Sequence, residues 1–177
     1  FFDAAGNFIT YNANEGHLVT TGGELTVRFR PNESFTLEVS GIVQKTKDKR
    51  EGWKDRDVEY SPNILGYLKA SYAFGKNVTL AVTGLYVDKM VPHWDVAIAN
   101  PDGTFGNWTG QEVDSRFTMD ANLRIDNLFG KHLYLNARCT NLFGTDYLYP
   151  NVGDTSYFEK GVIGYGRMFV LTMGYKF

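Results

Sequence analysis

The chain has 177 residues, 15% of them aromatic, with 19 glycines but only 5 prolines, a composition that suits β-strands better than helices or disorder. Its 18 basic and 20 acidic residues nearly cancel, so no net field calls for nucleic acid or a polybasic membrane contact. A single cysteine, Cys139, excludes an intrachain disulfide and a cysteine-based zinc cluster, and no apolar run is long enough for a membrane helix.

Alternation of period two predicts strands at about 17–30, 34–46, 61–74, 78–89, 115–127, 132–142 and 167–177. In the fifth segment Phe117, Met119, Ala121, Leu123 and Ile125 fall opposite Thr118, Asp120, Asn122, Arg124 and Asp126. The sixth sets Leu133, Leu135, Ala137 and Cys139 against Tyr134, Asn136, Arg138 and Thr140. The last sets Phe169, Leu171, Met173, Tyr175 and Phe177 against Val170, Thr172, Gly174 and Lys176. Across all these segments the apolar faces carry no charge, whereas the opposite faces hold Glu24, Arg28, Arg30, Glu38, Lys69, Asp120, Arg124, Asp126, Arg138 and Lys176.

The connections alternate as well. Tight turns follow the first, third and fifth segments, at Pro31-Asn32-Glu33, Gly75-Lys76-Asn77 and Leu128-Phe129-Gly130-Lys131. Long polar loops, about 47–60, 90–114 and 143–166, follow the second, fourth and sixth. This is a β-meander with unequal ends.

A charge-free sheet face can pack on a second sheet or face hydrocarbon. A soluble β-sandwich binding module is the first option. Three features favour the second. The segments are longer than the five or six residues usual in soluble sheets and match a tilted membrane strand. Aromatics gather at the ends of the apolar face: Phe29, Phe35, Tyr72, Phe74, Tyr175 and Phe177 by the tight turns, Tyr86, Phe117 and Phe169 by the long loops. The other face is polar and mixed in charge, as a lumen lining would be. Lipid leaves no backbone group unpaired, so the expected fold is an all-β, antiparallel transmembrane β-barrel with about seven strands in residues 1–177.

Tight turns lie on the periplasmic side of bacterial barrels, where the chain also finishes, so an odd strand count implies earlier strands and the chain reads as the last part of something larger. A complete eight-stranded outer-membrane protein, adhesive or structural, is the alternative. It requires a strand at Phe1 to Tyr11, where alternation is poor.

The stretch Leu133-Tyr134-Leu135-Asn136-Ala137-Arg138-Cys139-Thr140-Asn141-Leu142-Phe143-Gly144-Thr145-Asp146-Tyr147, a long loop, then Gly166-Arg167 and a final strand ending at Phe177, resembles the C-terminal end of TonB-dependent outer-membrane receptors. Gly23-Glu24-Leu25-Thr26-Val27-Arg28-Phe29-Arg30-Pro31 is similar to an upstream strand-and-turn pattern of that family. The resemblance implies a 22-stranded barrel enclosing an N-terminal plug, energised through TonB, that imports ferric siderophores, haem or cobalamin across the outer membrane. Plug, earlier strands and the TonB-binding region are not in these residues. The alternation Phe169, Leu171, Met173, Tyr175, Phe177 also resembles the signal read by the barrel assembly machinery.

No catalytic motif or cofactor-binding glycine loop is present, and His17, His93 and His132 are placed at different ends of the strands, so neither an enzyme nor a metal site is expected. The asparagines of Asn32-Glu33-Ser34, Asn77-Val78-Thr79 and Asn107-Trp108-Thr109 match the glycosylation acceptor, an accidental match in a bacterial barrel. The long loops are the candidate binding elements, through Trp53, His93, Trp94, Trp108 and Tyr147. The mixed charges of loop 47–60 suit a solvated tip that meets lipopolysaccharide. Arg124, Arg138, Asp120 and Asp126 are expected to pair with a plug or with each other.

Overall fold

In the computed structural model, which describes residues 16–49, 56–130, 132–150 and 160–176, the alternating segments become long antiparallel strands. In chain order the elements are β1 (Leu18–Phe29), β2 (Phe35–Asp48), β3 (Arg56–Asp57), β4 (Ile64–Phe74), β5 (Val78–Val87), β6 (Trp94–Ala99), β7 (Phe105–Trp108), β8 (Arg116–Leu128), β9 (Leu133–Thr140), β10 (Leu148–Tyr149), β11 (Val162–Ile163) and β12 (Met168–Tyr175). The main sheet runs β1-β2-β4-β5-β8-β9-β12, with the short β3 added to the end of β2, while β6–β7 and β10–β11 form separate two-stranded hairpins within the long connections. Among the described residues the sheet is open, with β1 and β12 at its edges.

Register explains why one face is free of charge across the middle of the sheet; contrary to the expectation of a wholly charge-free face, Lys45 and Lys47 share it toward the long-connection end of β2. Phe29, Leu37, Ala70, Val82, Ala121, Cys139 and Phe169 are successive partners in one transverse row across every long strand. The adjacent row on the other face runs Arg28, Glu38, Lys69, Thr83, Asp120. Because side chains alternate, a slip of one residue anywhere would carry these charges onto the apolar side, so the pattern fixes the pairing.

The apolar face is uncovered. Leu25 is 69% exposed, Leu171 71% and Met173 72%, so among the described residues no second sheet packs on it, as a β-sandwich would require. The buried core is correspondingly small. It comprises Val87, Met90 and Val113, with Leu65 and Leu148 packed against them. Leu65 and Val87 are register partners on the polar face, so this core lies where the long connections fold over that face.

The polar face is knitted by its own charges. Arg28 donates to Glu38 at 2.6 Å, Arg138 to Asp120 at 2.9 Å, and Arg124 and Lys176 to Asp126 at 2.9 and 2.8 Å. Asn122 and Asn136 add a hydrogen bond of 3.0 Å.

The tight turns carry local chemistry that alternation does not reveal. Asn32 Oδ1 accepts from the Ser34 and Phe35 amides at 3.0 and 2.9 Å, closing its turn. In β8 a bulge between Ile125 and Leu128, with Asn127 at φ 54°, absorbs an extra residue and returns Leu128 to pair with Leu133. Asn127 Nδ2 then donates to Asn77 Oδ1 of the neighbouring turn at 3.1 Å. Asn107 donates to Asn100 in the β6–β7 hairpin, so all three glycosylation-like asparagines have structural work.

Candidate functional site

The long connections meet at one end of the sheet. Tyr60 donates its amide to Val91 O at 3.1 Å, and Leu148 reaches the Met90–Val113 core, so all three connections touch. Within this end the structure separates the expected site residues into two groups.

The first group is built on the β6–β7 hairpin. Trp94 and Trp108 are register partners, and their rings meet edge to face at 5.0 Å. Gly106, at φ +95°, leaves room for the Trp94 indole, which a Cβ there would approach to 3.0 Å. Glu59 clamps the hairpin entry: one oxygen accepts from the Trp94 amide at 2.9 Å, and the other lies 3.0 Å from His93 Nδ1. The His93 carbonyl accepts from the Thr109 amide and hydroxyl at 2.7 and 3.0 Å. Above the rings, Arg56 Cζ is 4.1 Å from the Trp94 centroid and 6.0 Å from that of Trp108. Its guanidinium also lies 3.8 Å from the buried Asp48 carboxylate. His93, Trp94 and Trp108 are thus brought together, with their recognition groups already engaged by Glu59, Arg56 and each other.

Between these connections Tyr60 sits at φ 57°, and its hydroxyl is buried without a hydrogen-bond partner. Burial, and then the Glu59 carboxylate, hold its phenol above the ordinary range.

The second group surrounds Tyr147. Its ring meets that of Tyr149 at 5.5 Å, and Arg116 Cζ lies 4.9 and 4.7 Å from the two centroids. The Tyr147 carbonyl accepts from the Gly164 amide at 2.8 Å, and a Cβ at Gly164 would overlap the Tyr147 ring, so glycine is required there by close approach. Burial, and a hydrogen bond with Tyr149, raise the Tyr147 phenol above its usual value. Beside this group a cleft of about 370 Å³ is lined by Asp114, Ser115, Asp146, Tyr147, Leu148 and Ile163. Tyr147 is therefore an expected site residue that lines a cleft.

Trp53 lies outside the described residues, as does Phe177. Phe169, Leu171, Met173 and Tyr175 line the exposed apolar face of β12. His17 is joined to Lys49 at the long-loop end, whereas His132 packs on Tyr175 by a tight turn at 6.1 Å. Among the described residues no His, Cys, Asp or Glu cluster could hold a metal ion. Glu59, Arg56 and Arg116 are the contributors that sequence reasoning missed, because their partners lie tens of residues away.

No family model matches the sequence, and no curated protein matches it. Solved structures do. The ferric-catecholate import receptor Fiu from E. coli K12, in its closed form, superposes with a TM-score of 0.68 at 19% identity, over 97% of this chain and 22% of that one. The ferric yersiniabactin uptake receptor FyuA from Yersinia pestis gives 0.69 at 14% identity, over 90% of this chain and 24% of that one. The unliganded ferric citrate transporter FecA gives 0.68 at 20% identity, over 89% and 24%. The chain has the fold of part of each of these receptors. It spans less than a quarter of the length of each of these three proteins.

Proposed function

We propose that this chain forms part of the wall of an outer-membrane receptor that imports a scarce nutrient, a ferric siderophore or another metal chelate, and that it is a transporter rather than an enzyme. The observation that carries the reading is the continuous charge-free face, exposed from Leu25 on β1 to Met173 on β12 and ending in aromatics at both rims. Such a face is stable in hydrocarbon and costly in water, since each exposed Leu or Phe forgoes about 1.5–3 kcal/mol of burial. The neighbours named for ferric chelates supply the cargo class.

In this reading the whole receptor is a 22-stranded barrel, with these long strands on its C-terminal side. Its partners are outer-membrane lipid and lipopolysaccharide, its own N-terminal plug and earlier strands, TonB, and the assembly machinery that reads the Phe169 to Phe177 alternation. The polar row Arg28, Glu38, Lys69, Asp120 faces the plug.

The test is uptake of radiolabelled ferric chelates by iron-starved cells with and without the gene, and with the proton-motive force dissipated. Gene-dependent, energy-dependent uptake is expected. Equal uptake by both strains, or recovery of the protein in the soluble fraction, overturns the reading.

A further inference from the structure

Alternation guards a strand pair against a slip of one residue, but a slip of two returns every side chain to its own face. Between β9 and β12 such a slip is silent on the apolar side: Leu171 would meet Leu135 or Cys139 in place of Ala137. No tight turn fixes this pair either, because the connection from Thr140 to Met168 is long. Among the described residues β12 is also an edge strand, with no second neighbour to correct it. At the long-connection end Asn141 holds the Tyr165 carbonyl at 3.2 Å, but Gly166 and Arg167 lie between that bond and the strand. The register of β12 thus calls for specific contacts within the paired segment.

The polar face supplies two at the tight-turn end. Gly174 is the register partner of Tyr134, and a Cβ at Gly174 would overlap the Tyr134 ring, over which Arg124 Cζ lies 4.4 Å from the centroid. Arg124 Nε and Nη2 donate to the Asp126 carboxylate at 3.0 and 2.9 Å. Lys176 Nζ, just past β12, donates to the same carboxylate at 2.8 Å, so the last strand is tied across β9 to β8. Asp126 is itself pinned in the bulged segment, where its amide donates to Asn77 O at 2.7 Å. A slip of two sets either Thr172 or Lys176 opposite Tyr134, so that a side chain meets the space its ring now fills over Gly174. The same slip carries Lys176 about 6.8 Å along the strand, away from Asp126. We infer that Gly174 and Lys176 are the register determinants of β12: the glycine seats the Tyr134 ring, and the lysine reaches Asp126, in the observed pairing alone. These contacts hold the last strand whatever the cargo, so they stand apart from the uptake reading above.

The experiment uses the whole protein in lipid vesicles, with Cys139→Ala and one of three cysteine pairs. Asn136→Cys/Thr172→Cys are opposite each other in the observed register, whereas Asn136→Cys/Val170→Cys and Arg138→Cys/Thr172→Cys become opposite after a slip of two in one direction or the other. Opposite positions lie within disulfide reach and diagonal ones do not, so peptide mass spectrometry after mild oxidation counts each register. With Gly174 and Lys176 in place, the first bridge should exceed either slipped one by about tenfold or more, the scale of a charge-assisted contact. In Gly174→Val/Lys176→Met that advantage should fall below about twofold. Tyr134→Ala added to Gly174→Val, with Lys176 kept, should restore the first bridge, because the obstructing ring is gone and the Asp126 pair remains. Lys176→Met alone, close in size to lysine, should raise the slipped bridges about threefold and decides the matter where the double variant does not insert. A first bridge that stays dominant in Lys176→Met and in every variant that inserts overturns the inference and assigns the register to Asn141, as does a Gly174→Val defect that Tyr134→Ala leaves unrelieved. Absence of gene-dependent iron uptake would sink the receptor reading and leave this result standing.

Discussion

Arg56 of β3 lies with its Cζ 4.1 Å above the ring of Trp94 at the base of the β6–β7 hairpin, so that the connection after β2 lids the connection after β5. The contact makes the hairpin a braced element. Arg56→Gln removes the cation from the ring and weakens compensation of the buried Asp48 carboxylate, whose Oδ2 is 3.8 Å from Arg56 Nη2. A loss of about 1–2 kcal/mol of local stability is expected, from the cation–π contact and the weakened pair together. Limited proteolysis reads it, as cleavage within 88–115 accelerating about fivefold or more while the β-sheet signal in circular dichroism is unchanged.

Asn141, at the end of β9, is a second brace and is only 5% exposed. Its Oδ1 accepts from the Thr145 amide at 2.9 Å, and its Nδ2 donates to Thr145 O and Tyr165 O at 2.9 and 3.2 Å. Its own amide donates to Asp120 Oδ1 at 3.0 Å, and Asp120 also receives Arg138. The left-handed φ of 48° adds a preference for Asn or Gly. Asn141→Gly keeps the backbone and loses the side-chain bonds; Asn141→Asp sets a carboxylate oxygen against two carbonyls. Losses of about 1–3 kcal/mol for Gly and more for Asp are expected. Denaturant unfolding in detergent orders the three proteins, and an Asp variant as stable as wild type would contradict the assigned amide orientation.

The long strands were legible in the sequence because residue polarity alternates with period two and because the apolar face carries no charge across the middle of the sheet, with Lys45 and Lys47 only at the long-connection end of β2. The predicted 115–127 and 167–177 differ from β8 and β12 by one or two residues at each end. Of the two pairings expected for Arg124, Arg138, Asp120 and Asp126, with a plug or with each other, the described residues show the second. The β6–β7 and β10–β11 hairpins were not, since Gly103, Gly106 and Gly164 interrupt any alternation there. The bulge at Asn127 leaves no mark in the sequence for a related reason: an inserted residue shifts phase, and alternation carries only phase. The structure gathers the aromatic residues of the long loops into two groups, around Trp94–Trp108 and Tyr147–Tyr149. Which of them border open space was decided by Arg56, Glu59 and Arg116, whose contacts are set by tertiary approach and leave no local pattern.

Tyr147 supplies a pH test. Burial and the hydrogen bond with Tyr149 raise its phenol above the ordinary 10.0. The folded pKa exceeds the unfolded one, so the cluster's stability is complete below about pH 10 and is lost as pH rises through the folded value. Tyr149→Phe removes the hydrogen bond and leaves burial, so Tyr147 should titrate at lower pH in that variant than in the wild type. Phenolate absorbance of wild-type and Tyr149→Phe protein, with Tyr147→Phe as the difference reference, measures the order. An unchanged Tyr147 midpoint would remove Tyr149 from the account.

The identity of the solvent on the apolar face is decided by one pair of neighbours on β12. Leu171 is opposite Ala137 in mid-sheet and 71% exposed on the charge-free face, whereas Thr172 is opposite Asn136 on the polar face. In water, an arginine would be welcome at either position, and Leu171→Arg would reduce a sticky surface. In a bilayer, Leu171→Arg places a charge near mid-depth at a cost of about 2–4 kcal/mol, while Thr172→Arg reaches the aqueous lumen and costs far less. Folding of the whole protein into lipid vesicles, followed by denaturant titration, should therefore rank wild type and Thr172→Arg close together and Leu171→Arg well below both. Equal stability of the two arginine variants would place water, not lipid, against that face.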